Sequence, residues 1–139
     1  MMKLFKICIF FILIPNILFA STDYFKEGLK LYKKKEFNKA KFKFEQDIVF
    51  NPKSEKSYLY LSKIFNHQDK RELEEKNLNT VILLNPKNEE ATFSLAQLKL
   101  KKSDFKESKN LIDKLLIFCK DYCEKSQKLK TEIEKSLKK

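Results

Sequence analysis

Asn51-Pro52-Lys53 returns as Asn85-Pro86-Lys87, 34 residues further on. A fixed period of that length is the mark of stacked repeats, in which each unit is a helix pair unable to bury its apolar face alone. Proline suits the end of such a unit, because it cannot continue a helix and biases the residue before it away from helical geometry. A second echo keeps the phase. Lys33-Lys34-Lys35-Glu36-Phe37 is matched by Lys101-Lys102-Ser103-Asp104-Phe105 at twice the period, 68 residues on. One glycine and three prolines argue against a turn-rich β-sandwich or barrel. A chain of 139 residues makes one domain with room for three helix pairs and a cap.

The first twenty residues stand apart. Lys3 and Lys6 give a positive start, residues 7–14 are an unbroken apolar run, and Pro15-Asn16 breaks it. Leu18-Phe19-Ala20 then puts a small residue just before Ser21. That is the layout of a secretory signal peptide, with an apolar stretch too short for a spanning helix. Cys8 lies early in the apolar run, away from the place of a bacterial lipoprotein cysteine. Cleavage after residue 20 leaves 28 basic residues against 19 acidic ones, a formal charge of +9. The expectation is an exported protein of a bacterial periplasm or cell envelope, and the rich Lys, Asn, Ile and Phe usage resembles that of AT-rich bacterial genomes. The alternative is an uncleaved N-terminal anchor that tethers a basic protein to an anionic lipid surface.

Within residues 21–139 the apolar positions recur at helical spacing. Ser21, Thr22 and Asp23 can cap a helix carrying Tyr24, Gly28, Leu31 and Tyr32. A second helix from about residue 38 to 50 has Ala40, Phe44 and Ile48 on one face. The next unit has Tyr58, Leu61, Ser62 and Phe65, then Leu78, Val81, Ile82 and Leu84. The third has Leu95 and Ala96, the Phe105 turn, Ser108, and then Ile112, Leu115, Leu116 and Phe118. Tyr122, Ser126, Leu129, Ile133 and Leu137 make a last one-striped helix, suited to covering the open end of a stack.

Tyr24-x-x-x-Gly28, Phe37-x-x-Ala40-x-x-x-Phe44 and Pro52 together resemble the tetratricopeptide repeat, whose 34-residue pattern places aromatics around small residues. The resemblance covers about residues 22 to 120 and lies in the phase. Glu27, Asp47, Arg71 and Glu74 depart from it; Glu74 stands where a small alanine is expected and Arg71 where the turn aromatic is expected. It implies an all-α solenoid of three units, about residues 21–54, 55–88 and 89–120, with a cap helix at about 121–138.

Catalytic chemistry finds little to use, and the chain is not expected to be an enzyme. His67 is the only histidine, set among Asn66, Gln68 and Asp69 with no nucleophile or ligand motif around it, so it reads as an exposed turn residue. One glycine cannot make a phosphate-binding loop. The carboxylates interleave with lysines, as in Glu72-Leu73-Glu74-Glu75-Lys76, like a solvated helix face. No cofactor or metal is called for. A nucleic-acid partner is not expected either, because Arg71 is the only arginine and no clustered basic face with base-stacking aromatics emerges. Cys119 and Cys123 are left to form a structural disulfide or to remain free thiols. A bridge requires the chain to turn at Lys120-Asp121, where the third unit ends and the cap begins, and that coincidence favours it.

In the tetratricopeptide family the first helix of each unit lines a concave groove that binds a peptide or a partner helix. By register the groove here carries Phe25, Leu29, Tyr32 and Lys33, then Leu59, Lys63 and Asn66, then Phe93, Gln97 and Leu100. Such a surface suits an extended or helical protein segment with acidic character. Family members that grip a C-terminal carboxylate use Lys, Asn and Arg at positions filled here by Phe25, Leu29, Tyr60, Glu90 and Ser94. That clamp is absent. A membrane becomes a partner only if the N-terminal segment is retained.

Overall fold

A computed structural model describes residues 23–138, and the expected signal peptide lies outside them. The described residues form seven α-helices and no strands: α1 (Tyr24–Lys33), α2 (Phe37–Phe50), α3 (Glu55–His67), α4 (Arg71–Leu84), α5 (Glu89–Lys101), α6 (Phe105–Phe118) and α7 (Cys123–Leu137). Contacts run mainly between successive helices, with α7 also touching α5. The product is a solenoid of three helix pairs closed at its C-terminal end by a seventh helix.

Each pair turns in the same way. Lys35, Asp69 and Ser103 adopt φ of 62°, 52° and 61°, left-handed conformations at a constant spacing of 34 residues. The next residue in each case sends its N–H back to the last turn of the helix: Glu36 to Leu31 O at 3.0 Å, Lys70 to Phe65 O at 2.9 Å, and Asp104 to Lys99 O at 2.9 Å. This is the left-handed helix stop that glycine usually fills, here built from side-chain-bearing residues. The turn in the middle unit spans Gln68–Lys70, so the absence of an aromatic at Arg71 leaves its geometry intact.

Close approach within the first pair depends on Gly28. A Cβ at that position would lie 2.7 Å from Cε1 and 2.8 Å from Cδ1 of Phe44, which is fully buried. Ser108, which stands in the third pair where Ala40 stands in the first, donates its hydroxyl to Ala96 O at 2.7 Å, so the buried oxygen is satisfied. The core falls into two clusters. Ala40, Phe44, Leu61, Ile64 and Phe65 form the N-terminal one, and Leu78, Val81, Leu95, Ile112, Leu115 and Ile133 belong to the larger C-terminal one.

Carboxylates bind the loops between units. Glu55 accepts from the side-chain amides of Asn85, at 3.0 Å, and of Asn88. Glu89, one period later, accepts the backbone N–H groups of Lys120, Asp121 and Tyr122 at 2.8, 3.0 and 3.0 Å. Burial opposes ionisation of Glu89, but these three bonds outweigh it and hold its carboxyl below the ordinary glutamate value. At the same corner Cys119 and Cys123 form a disulfide with Cα atoms 5.3 Å apart. α6 ends at Phe118 and α7 begins at Cys123, so the bridge spans a turn and fixes the entry of the cap helix. Asp113 adds Lys130 of α7 at 2.6 Å and Lys109 of its own helix.

Candidate functional site

The first helices of the three pairs, α1, α3 and α5, face a cavity of about 520 Å³. Tyr32 and Phe37 stand at one end, Ser62, Lys63, Asn66 and His67 come from α3, and Glu90, Ser94, Gln97 and Lys101 come from α5. Glu74, from the first turn of α4, and Leu98 reach the same cavity. Of the groove residues expected from the register, Tyr32, Lys63, Asn66 and Gln97 therefore line it.

The others lie elsewhere, for a physical reason. Phe25 is packed 5.8 Å from Phe44 and 5.8 Å from Tyr60, ring centre to ring centre. Leu59, Phe93 and Leu100 pack against the C-terminal core cluster, and Phe93 sits 5.3 Å from the Tyr122 ring. Large apolar side chains on the first helices fill the contact with the following unit, where burial is worth about 25 cal/mol per Å². Leu29 and Lys33 lie with Lys26, Lys30 and Lys34 along a separate shallow recess of α1.

His67 is exposed, as its neighbours suggested, yet its ring lies 4.4 Å from that of Phe37 and forms part of the cavity wall. Charges of both signs meet across the groove. Glu90 pairs with Lys63 at 2.8 Å, and the Lys63 ammonium also sits 4.7 Å from the centre of the Tyr60 ring. Glu74 is only 4% exposed and accepts one hydrogen bond, from Asn66 Nδ2 at 2.9 Å. Burial pushes its carboxyl up, ahead of the opposing effect of Asn66 and of the more distant Lys101 and Arg71 charges. Sequence reasoning marked Glu74 as out of place but did not assign it to the groove. The only signal was the acid itself, standing where the repeat pattern expects a small residue. Among the described residues no group of three or more His, Cys, Asp and Glu side chains is arranged to hold a metal ion.

Solved structures decide the architecture. The first TPR domain of Spaghetti (RPAP3), determined with the HSP90 peptide SRMEEVD, matches with a TM-score of 0.76 at 15% identity, covering 84% of this chain and 91% of that one. The fold is that of a tetratricopeptide-repeat domain. The TPR2B domain of yeast Sti1, in a complex named for pHsp70, matches at 0.74 and 12% identity, over 81% of this chain and 94% of that chain. The type III secretion translocator chaperone SycD of Yersinia enterocolitica matches at 0.69 and 15%, over 81% and 88%. No family model and no curated protein sequence matches. At these identities the likeness is one of fold. The tetratricopeptide groove of this chain carries its own set of side chains.

Proposed function

We propose that this chain is an exported protein–protein interaction module that holds an extended or helical segment of a partner in the α1–α3–α5 groove. The observation carrying the proposal is the open cavity itself, whose polar and aromatic walls come from all three helix pairs. Tetratricopeptide domains solved with an HSP90 peptide and with pHsp70 support protein binding as the use of this architecture. Residues 1–20 support export, and the Cys119–Cys123 disulfide suits an oxidising envelope compartment. Lys63 is engaged by Glu90, so acidic groups of the partner have the exposed Lys101 to meet. The role is that of an envelope adaptor or assembly factor. Photo-crosslinking residues at Gln97 and at Lys114, on the outer face of α6, test it in the source cells. A discrete adduct from position 97 and none from 114 is expected. Adducts from 114 alone would refute use of the groove.

A specific observation favours a second reading, association with an anionic membrane surface. Val49, Leu83 and Ile117 follow one another at 34-residue spacing and are 73%, 82% and 85% exposed. Exposed Lys53, Lys87 and Lys120 stand in the loops just after them. Apolar tips beside lysines suit an anionic bilayer interface, especially if the N-terminal segment is retained as an anchor. Co-flotation of residues 21–139 with vesicles containing phosphatidylglycerol, lost in the Val49→Ser/Leu83→Ser/Ile117→Ser variant, would favour this reading. No co-flotation would dismiss it for the cleaved protein.

A further inference from the structure

The groove contains a carboxylate with no counter-ion. Glu90 has Lys63 at 2.8 Å, whereas among the described residues no lysine, arginine or histidine nitrogen comes within 4.0 Å of the Glu74 carboxylate. Its single hydrogen bond, from Asn66, goes to Oε1, which leaves Oε2 to the cavity that Glu74 lines. A buried carboxylate is costly unless a cation and hydrogen-bond donors meet it. Other acids that join neighbouring elements are met by cations or, as with Glu55 and Glu89, by two or three N–H donors. Glu75 has Lys99 and Lys102 at 2.7 Å each, and Asp113 has Lys109 and Lys130.

The rest of the wall fits a cation. The Tyr32 and Phe37 rings border the same cavity, and aromatic faces attract ammonium and guanidinium groups. The Ser62 and Ser94 hydroxyls and the Gln97 amide oxygen supply neutral acceptors without adding positive charge. The two lining lysines do not fill the place: Lys63 is held by Glu90, and Lys101 is exposed and beyond ion-pair distance.

We propose that Glu74 anchors a pocket for one lysine or arginine side chain of the bound partner segment, its cationic end meeting Glu74 Oε2 and its stem lying against Tyr32 and Phe37. This rests on the use of the groove proposed above and specifies what the groove selects. Glu74 is then the specificity residue.

The test uses blocked single residues on the isotopically labelled chain of residues 21–139. Nα-acetyl-lysine methylamide and Nα-acetyl-arginine methylamide are titrated by NMR, with the norleucine analogue as the uncharged control. Saturable shifts centred on Asn66, Glu74 and Gln97 are expected for the basic probes, at least tenfold weaker with norleucine and in Glu74→Gln. Glu124→Gln, an exposed acid on α7 outside the groove, should change the basic-probe affinity by less than threefold. Equal binding of norleucine, or affinity unchanged in Glu74→Gln, would overturn the proposal. The crosslinker at Gln97 separates the two levels. An adduct that survives Glu74→Gln undiminished refutes the anchor and leaves the groove reading standing, whereas no adduct in either background refutes the groove reading itself.

Discussion

Replacing Gly28 by alanine tests the packing of the first helix pair. In an exposed helix the change would help, because alanine is favoured over glycine by about 1 kcal/mol. Here the added methyl would stand 2.7, 2.8 and 3.1 Å from three atoms of the Phe44 ring. The ring has nowhere to retreat, since Phe44 is fully buried, with the Tyr60 ring centre at 5.2 Å and that of Phe25 at 5.8 Å. Overpacking of a rigid core costs about 1–3 kcal/mol, and the upper part of that range applies when the obstacle is a confined aromatic. After the helix gain is subtracted, Gly28→Ala should destabilise the domain by about 1–2 kcal/mol. Urea unfolding followed by circular dichroism reads this as a lower midpoint, with a drop in Tm of roughly 4–8 °C. Phe44→Leu makes room at the contact, so Gly28→Ala should cost less than half as much in that background. A Gly28→Ala domain as stable as the parent, or equal costs in both backgrounds, would refute the packing argument.

Four further outcomes follow from the same geometry. Glu74→Gln should stabilise the free domain at pH 7: its folded-state pKa is raised, so its ionised form opposes folding above that value and ceases to do so as pH falls through it. Urea midpoints of parent and variant should accordingly converge towards acid pH. Lys35→Gly and Ser103→Gly should each stabilise by about 0.5 kcal/mol in the same assay, relief of a left-handed backbone exceeding the extra unfolded-chain entropy of glycine. Glu89 behaves oppositely to Glu74, since its lowered folded-state pKa gives stability that is complete above the ordinary value of 4.5 and is lost as pH falls below it. Glu89→Gln should flatten that part of the acid-denaturation profile. Cys119→Ser/Cys123→Ser opens a disulfide of sequence separation 4, and a loop that short contributes at most about 2 kcal/mol, so the variant should remain folded by near-ultraviolet circular dichroism.

The period was legible in the sequence because proline and asparagine punctuate it at positions 51–52 and 85–86. The stops inside each pair were not, because Lys35, Asp69 and Ser103 stand where glycine would have advertised a left-handed residue. Helical register identified the first-helix faces, but a one-dimensional pattern does not distinguish a groove wall from the seam with the next unit. Tyr32 and Gln97 reach the cavity, while Phe25, Leu59 and Phe93 are drawn into seams by their size. Val49, Leu83 and Ile117 illustrate the converse. Their hydrophobicity suggests burial, yet they close their helices on the solvent side. Glu74 was readable only as an anomaly, because the direction of its side chain depends on how α3, α4 and α5 meet.

The two ends of the stack are secured unequally. The C-terminal end has α7, with Leu129 and Ile133 inserted, a disulfide at its entry and the Asp113–Lys130 pair along its length. α1 contributes one buried residue, Gly28, and no covalent tie. In a chain of nearest-neighbour contacts, opening starts where the last contact is weakest and travels inward. Fraying should begin at α1, and α1 supplies Tyr32 while α2 supplies Phe37. The end that loosens first is thus also one wall of the groove. A ligand that closes on Tyr32 and Phe37 would draw part of its binding free energy back into ordering the first pair, slowing amide exchange there while leaving α6 and α7 unchanged.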